Sequence, residues 1–401
     1  MTALPSLALT PQCPSLLFPG KMADIVALSS GNPGLLRPQL HPNYQPKTLS
    51  DSTSNRVALV IGSNGFVGAH LTARLSAHPQ VEHVLAMVRG SREKTAERRF
   101  DDVLIRYRIK PSFPEKITIL NASPTEPYWG LDRRTYLDLA AQVRWVFNCA
   151  SSTEYDLSYL QIRQDSVMSF LQVLQFCMEG ASKHLSYLGS AGARFYEHPR
   201  DFNRPDSWWY SGYAQMKWVN GQVIRWIADD QIFPVTLCEP SYVFGSTSLG
   251  VDPGLHYSWW RLIEISKSIQ QIWDGEGLNY NPVDILTDAL VVNALAKVPK
   301  RYLQPCNPVP YNNSLLAELM GCEIVPWEIF KKTAQAEISS RRLGKLLEDD
   351  CSEMVHRANC PAVFPEGYPT AWCDNRALLD FYLQNQSFRD IKKRIVGGIR
   401  G

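Results

Sequence analysis

The sequence lacks an excess of charge of either sign. Its 41 Lys and Arg stand against 39 Asp and Glu, a net charge of +2. That excludes the basic surplus with which a nucleic-acid binder meets phosphate. It also lacks a long hydrophobic run. No window approaches the roughly 18 apolar residues a membrane-crossing helix needs, so no membrane partner is expected. Nine cysteines are scattered, with no CxxC pair and no Cys/His cluster at zinc spacing. Neither a metal site nor a disulfide framework is expected, and the thiols read as reduced side chains of a cytoplasmic protein. The opening MTALPSLALTPQCPSLLFPGKM has no basic region before its apolar residues, so it does not read as a secretory signal. No internal repeat is visible.

What is present is an ordinary globular composition over 401 residues, 45% hydrophobic and 20% charged, enough for two domains or one large one. Residues 1–52 are dense in Pro, Gly, Ser and Asn and read as an irregular extension, either disordered or draped over the folded body. From Arg56 short β-branched runs alternate with amphipathic stretches. VALVI, VEHVLAMV, ITIL, VRWVFN, HLSYLG and FPVTLCE read as strands. FVGAHLTARLSAH, SREKTAERRFDDVLIRY, LQIRQDSVMSFLQVLQFCM and YAQMKWVNGQVIRWIADD read as helices. Apolar strands alternating with helices predict an α/β, Rossmann-type doubly wound parallel sheet. Past Phe244 the alternation lapses. HYSWWRLIEISKSIQQIW and ELMGCEIVPWEIFKKTAQ read as helical, while NPVDILTDALVVNALAKV returns to strand-then-helix. The expected division is a nucleotide-binding domain over 53–248 plus 278–300. A smaller, mainly helical substrate-binding part then takes 249–277 plus 301–401.

The first strand–helix junction reads GSNGFVG, Gly62 to Gly68. Gly62 permits a sharp turn, Gly65 leaves no Cβ where a pyrophosphate nears the backbone, and Gly68 lets helix and strand pack closely. A glycine triplet alone is a weak signal, and its bland alternative is a tight structural turn. Its place at the first junction of an alternating pattern is what makes Gly62, Ser63, Asn64, Gly65, Phe66, Val67 and Gly68 a candidate phosphate cradle. The second strand ends MVRG. An acidic residue there would favour NAD. Arg89 instead suits a 2′-phosphate, so the expected cofactor is NADPH. Arg92, Arg98 and Arg99 follow, and for Arg98 a solvated helix face is the simpler explanation.

Tyr213 and Lys217 in SGYAQMKW lie four apart and share one helix face. Ser190 in YLGSAG falls just past the fifth strand, at the edge where such sheets bind ligands. Reducing a carbonyl builds negative charge on oxygen, and a phenol can donate the proton. Its ordinary pKa near 10 makes it sluggish at neutrality, and a neighbouring ammonium is expected to lower it. Ser190 can hydrogen-bond the carbonyl oxygen. A Tyr and a Lys at this spacing are also a common surface pair. The glycine loop and the chain order of the three residues favour chemistry.

With these motifs the chain resembles the extended short-chain dehydrogenase/reductase superfamily. Within it, the resemblance is to thioester reductase domains, the terminal reductases of nonribosomal peptide and polyketide synthetases and of carboxylic acid reductases. VRGSREKTAERRFDDVLIRYRI is similar to that family's arginine-bearing helix. FNCASSTEYDLSYLQIRQDSVMSFLQVLQFC is similar to its fourth-strand segment, and GYAQMKWVNGQVI to its Tyr-Lys helix. EPSYVFGSTSLG and NPVDILTDALV resemble later segments, so the likeness covers residues 55 to 300. It implies NADPH-dependent reduction of a carrier-bound thioester to an aldehyde or alcohol, with Ser190, Tyr213 and Lys217 catalytic. It also implies cofactor contacts at Arg99, Ala150, Lys217, Pro240 and Ser241.

The chain departs from the family in four places. Ala122-Ser123-Pro124 replaces Gly-Asp-Leu, Pro240-Ser241 replaces Pro-Gly, Met216 precedes the lysine, and Gly221 stands where an acidic residue is usual. No adenylation, carrier or carrier-type serine motif is seen. The expectation is therefore a free-standing enzyme receiving a carrier-bound acyl group, or a released aldehyde or ketone, in trans. Trp208, Trp209, Tyr210, Trp259 and Trp260 are candidate walls of an apolar substrate pocket, though such aromatics are more often core. Two alternatives stay open: a redox-neutral cyclase, epimerase or dehydratase using Tyr213 as acid-base, and a non-catalytic NADP-binding protein. The oligomeric state is left open.

Overall fold

The computed structural model describes residues 16–17, 23–37, 39–40, 44–49, 55–153, 157–193, 211–251, 258–275, 279–307, 309, 311–337, 363–366, 368 and 375–385. A seven-stranded parallel sheet organises the chain. Its strands are β1 (Val57–Ile61), β2 (His83–Met87), β3 (Ile117–Leu120), β4 (Val143–Asn148), β5 (His184–Leu188), β6 (Val235–Cys238) and, at the edge, Tyr302–Leu303. Across the sheet the order is β3-β2-β1-β4-β5-β6 and then the edge strand. The chain winds outward from β1 in one direction, then returns to β4 and winds the other way. All carboxyl ends therefore share one edge, with a switch point between β1 and β4.

Both faces of the sheet are covered, which is why its strands are apolar on both sides. Leu59 and Ile61 face one core, with Phe170, Val173, Trp218 and Ile224. Ala58 and Val60 face the other, with Val67, Leu71, Leu286 and Leu290. The first core is closed by α4 (Arg133–Gln142), by α6 (Ser169–Met178) and by α7 (Gly212–Asp229). The second is closed by α2 (Phe66–Ser76) and α9 (Val283–Leu295). Between β2 and β3 runs α3 (Ala96–Arg106), capped by Thr95, whose hydroxyl accepts from Arg98 N at 3.2 Å.

The six strands expected from Arg56 to Phe244 are present. The helix α4 was not read from RRTYLDLAAQ, although Asp132 caps it by accepting from Thr135 N at 3.0 Å. The long helix expected over 160–178 is interrupted. α5 (Tyr159–Arg163) passes into α6 through a π turn at Gln164–Met168.

Beyond Phe244 lies a second body with its own core around Phe244, Trp273, Tyr280, Phe330 and Tyr382. It holds α8 (Ser258–Ile269), α10 (Asn313–Met320), α11 (Trp327–Glu337) and α12 (Asn375–Asn385). Two short parallel pairs stitch it together, Tyr242–Phe244 with Tyr280–Pro282 and Gln271–Trp273 with Glu323–Val325. Gln271–Trp273 and Glu323–Val325 fall in stretches read as helix. In the first the break comes at Gln270, which takes φ 59° with no glycine to announce it, and in the second at Gly321, which takes φ 68°. Tyr302–Leu303 lies in the segment assigned to the substrate part, yet pairs in parallel with β6.

The amino-terminal stretch, read as irregular, contains α1 (Ala23–Ser30) and a 3-10 turn at Pro33–Leu36. Its described residues run along α7 and α6 as a strap. Arg37 pairs with Asp230 at 3.0 Å, and the Tyr44 hydroxyl donates to Ile232 O at 3.2 Å. Lys47 Nζ donates to Met178 O at 2.7 Å and Gly180 O at 2.8 Å, satisfying carbonyls at the end of α6. Among the described residues no helix is long and apolar enough to cross a membrane.

Candidate active site

The loop after β1 is shaped by the absence of side chains. Gly62 takes φ +86°, and a Cβ there would lie 2.8 Å from Ala150 N. A Cβ on Gly68 would lie 2.1 Å from Gly62 O. The two glycines let the turn, the start of α2 and the end of β4 touch backbone to backbone. Gly65 is the exposed N-cap of α2, so no side chain covers a helix end whose first N–H groups have no intrahelical partner. Ser63 is buried and its hydroxyl donates to Val60 O at 2.8 Å, while Asn64 is partly buried. Phe66 and Val67 turn into the core. Of these seven residues, the glycines shape the cradle while Ser63, Phe66 and Val67 brace it. A bare helix N-terminus above a close-packed glycine turn fits the pyrophosphate of an NAD-type dinucleotide.

At the tip of β2, Arg89 is exposed. The Arg99 guanidinium donates from Nη1 to Arg89 O, so α3 folds one arginine back onto the other. Gly90 N donates to Asn121 Oδ1 at 3.0 Å, which ties this tip to the end of β3. Asn121 was not singled out in the sequence, since an asparagine after a strand carries no motif. Arg98 instead pairs with Asp102 on its own helix at 3.3 Å.

Along the same edge, Ser190 follows β5. Its Oγ accepts from Gly192 N at 3.2 Å, and its hydroxyl is hydrogen-bonded to Tyr213. Lys217 is 3% exposed. Its ammonium donates to Leu188 O at 2.7 Å and lies over the rings of Tyr187 and Tyr213, 5.4 and 5.7 Å from their centroids. The loop after β5 and the start of α7 therefore bring these three residues to one point. The expected pKa of Tyr213 is reversed. Burial pushes the phenol up to about 12, and the Ser190 bond only partly offsets this. Burial lowers Lys217 to about 8, with the Cys149 thiol opposing it. Desolvation disfavours both charged forms, and it outweighs the attraction anticipated between phenolate and ammonium.

Pro240 and Ser241 follow β6. Ala191 N donates to Pro240 O at 3.0 Å, joining the two loops. Ser241 is 6% exposed and its Oγ accepts from Asn281 Nδ2 at 3.1 Å, so the hydroxyl replacing the family's glycine is held toward the second body. Beside Gly221, where the family is acidic, a carboxylate arrives from β6 instead. Glu239 Oε1 lies 3.8 Å from where a Gly221 Cβ would be, and Glu239 Oε2 accepts from Arg225 Nη2 at 2.7 Å. Asp284, also not singled out, holds the loop after Phe244 by accepting from Thr247 N at 3.0 Å and from Ser246 Oγ at 3.1 Å. Trp208, Trp209 and Tyr210 lie outside the described residues. Trp259 and Trp260 fall on α8, with their side chains outside the described part.

Known proteins resemble this chain in sequence and in fold. A family described as male sterility protein, with an NAD-binding domain, matches residues 60–290. The aldehyde reductase lnbA of Aspergillus flavus is 26% identical over 205 residues, 48% of this chain and 20% of that protein. L-2-aminoadipate reductase of Schizosaccharomyces pombe is 23% identical over 216 residues, 49% of this chain and 15% of that protein. The aligned stretch is thus a fifth or less of each of these relatives. Among solved structures, the terminal R domain of the myxalamid PKS-NRPS pathway superposes with a TM-score of 0.68 at 18% identity, covering 85% of this chain and 92% of that one. The reductase domain of PhqB from Penicillium fellutanum gives 0.63 at 16% identity, covering 93% and 99%. These likenesses show the fold. The family match spans more than half the chain, and the protein accordingly belongs to the male sterility protein family, NAD-binding members of the extended short-chain dehydrogenase/reductases.

Proposed function

We propose that this protein is an NADPH-dependent reductase of specialised metabolism. Its substrate is a carbonyl: a carrier-bound thioester taken to the aldehyde or alcohol, or a released aldehyde or ketone. The observation that carries the reading is the convergence of Ser190, Tyr213 and Lys217 on the sheet edge that also holds the Gly62–Gly68 cradle. Bound in that cradle, NADPH supplies the hydride. Ser190 orients the carbonyl oxygen, and Tyr213 gives it the proton. A phenol pushed up to about 12 is fully protonated at neutral pH, the form a proton donor needs. Lys217 is placed to hold the nicotinamide ribose, and Arg89 with Arg99 to meet a 2′-phosphate. The second body, from α8 onward, closes over the substrate.

Support for a carrier-bound substrate comes from relatives named as nonribosomal peptide synthetases and from a structural neighbour described as a thiolation-reductase di-domain. The test is nicotinamide fluorescence titration followed by turnover of aldehydes and acyl thioesters. Micromolar NADPH binding with consumption on a carbonyl supports the reading. Binding without consumption on any carbonyl turns it toward redox-neutral chemistry, and no binding removes it.

A further inference from the structure

The amino-terminal strap reaches the Tyr213 helix through a buried ion pair. Asp24, in the first turn of α1, is 7% exposed. Arg163, the last residue of α5, donates to it twice, from Nε to Oδ2 at 2.6 Å and from Nη2 to Oδ1 at 3.0 Å. The Tyr159 hydroxyl, from the first residue of α5, donates to Oδ2 as well. Burial and the carboxylate push that phenol far up, so it remains a donor. One carboxylate therefore grips both ends of a five-residue helix. A bidentate guanidinium at such burial is held in one orientation. Removing its partner would leave an uncompensated charge inside the protein.

That small helix is what α7 starts on. Gly212 N donates to Leu157 O at 3.1 Å, just before α5. A Cβ on Gly212 would lie 2.4 Å from the Ser158 carbonyl carbon and 2.5 Å from Tyr159 N. The segment is stiff, since Ser158 N donates to Gln161 Oε1 at 2.8 Å in a capping box. A second grip follows two turns on, where Asn220 Nδ2 donates to Ser166 O, in the π turn, at 2.9 Å. Tyr213 and Lys217 lie between these two points. The other strap anchor on α7, Arg37 with Asp230, is exposed and sits at the far end of that helix.

We propose that Asp24 is a positioning residue for Tyr213. The strap holds α5, α5 seats the start of α7, and the phenol thereby keeps its register with Ser190. This rests on the reading of Tyr213 as the proton donor. A displaced donor loses rate rather than affinity, and a misplacement near 1 Å costs up to about a hundredfold.

The full-length chain is compared with its Asp24→Asn and Asp24→Glu variants by amide hydrogen exchange, NADPH titration and steady-state carbonyl reduction. In Asp24→Asn, exchange at Gly212 and Tyr213 is expected to quicken at least about tenfold while β4 and β5 keep their protection. The kcat falls about ten- to a hundredfold, with the NADPH Kd and carbonyl KM within about twofold. Asp24→Glu, which restores the carboxylate, recovers most of both, and Arg37→Ala leaves kcat unchanged. An active wild type whose Asp24→Asn variant matches it in exchange and kcat sinks the assignment alone. So does a variant whose exchange quickens throughout the sheet, because the effect is then one of general stability. A wild type that reduces no carbonyl sinks the reading of Tyr213 and takes the assignment with it.

Discussion

The two working ends of the sheet edge are built on different principles. At the β1–α2 turn the shape follows from what is missing. Gly62 and Gly68 press backbone on backbone, with no room for a Cβ on either. At β5–α7 the room exists, and the side chains themselves make the site. Hydrogen bonds hold Ser190, Tyr213 and Lys217, and burial also moves the pKa of Tyr213 up and that of Lys217 down. Sterics of the first kind are local and tolerate no substitute. Chemistry of the second kind depends on everything that keeps water out.

Substitutions at the two ends should therefore fail in different ways. The largest effect is expected from Tyr213→Phe. It keeps the ring and loses the proton, so kcat in carbonyl reduction should drop about a thousandfold with NADPH affinity unchanged in a fluorescence titration. Retained turnover would place the acid elsewhere. Gly68→Ala should do the reverse. Its methyl meets Gly62 O at 2.1 Å, so the turn must open at a cost of about 1–3 kcal/mol. The thermal midpoint should fall and the NADPH Kd rise more than tenfold. Gly65→Ala, with its nearest contact at 3.3 Å, should leave the midpoint close to that of the wild type. Equal damage from the two would blur the contrast between the ends.

Next comes Arg89→Ala. Losing a charge-assisted bond worth about 1.5–3 kcal/mol should weaken NADPH at least tenfold and leave NADH untouched in paired titrations. Equal loss for both would remove the 2′-phosphate argument.

The smallest effect is one of pH. Lys217 falls from 10.5 to about 8 on folding, so between these values the unfolded chain holds the extra proton. The Lys217 contribution to urea stability, read as wild type minus Lys217→Met, should therefore rise with pH across that window, the strain of a buried ammonium being fully present below about 8. Over the same window the ammonium is lost and kcat/KM should fall, while Tyr213 keeps its proton. Lys217→Met should flatten both limbs. A difference between wild type and Lys217→Met that instead falls above about pH 8 would show the ammonium to be stabilised in place.

How much of this was legible in the sequence follows the same division. The glycine loop could be read residue by residue, because a steric requirement leaves only one side chain to choose. So could the strands from VALVI to FPVTLCE, bounded by turns and, apart from the edge strand ITIL, buried on both faces. The meeting of Ser190 with Tyr213 was legible as chain order plus helix spacing. The direction of the Tyr213 and Lys217 pKa shifts was not, since the sequence names the neighbour and hides the dielectric around it. Asn121, Glu239 and Asp284 were missed for a related reason. Each acts through hydrogen bonds to another segment of the chain, and no local pattern marks it. The helix α8 was read too long because Gln270 adopts a left-handed φ of 59°, a geometry usually announced by glycine.

The strap also bears on the order in which the chain assembles. Its anchors close loops of 135 residues at Asp24, 131 at Lys47, 188 at Tyr44 and 193 at Arg37. Closures of that span are entropically late events, made only when the surface they join already exists. The strap precedes every residue it binds, and the surface it settles on is complete only once residues 159 to 232 have folded. The strap is then among the last segments to find its place, and refolding kinetics should show a final phase that leaves the sheet unchanged and completes α7.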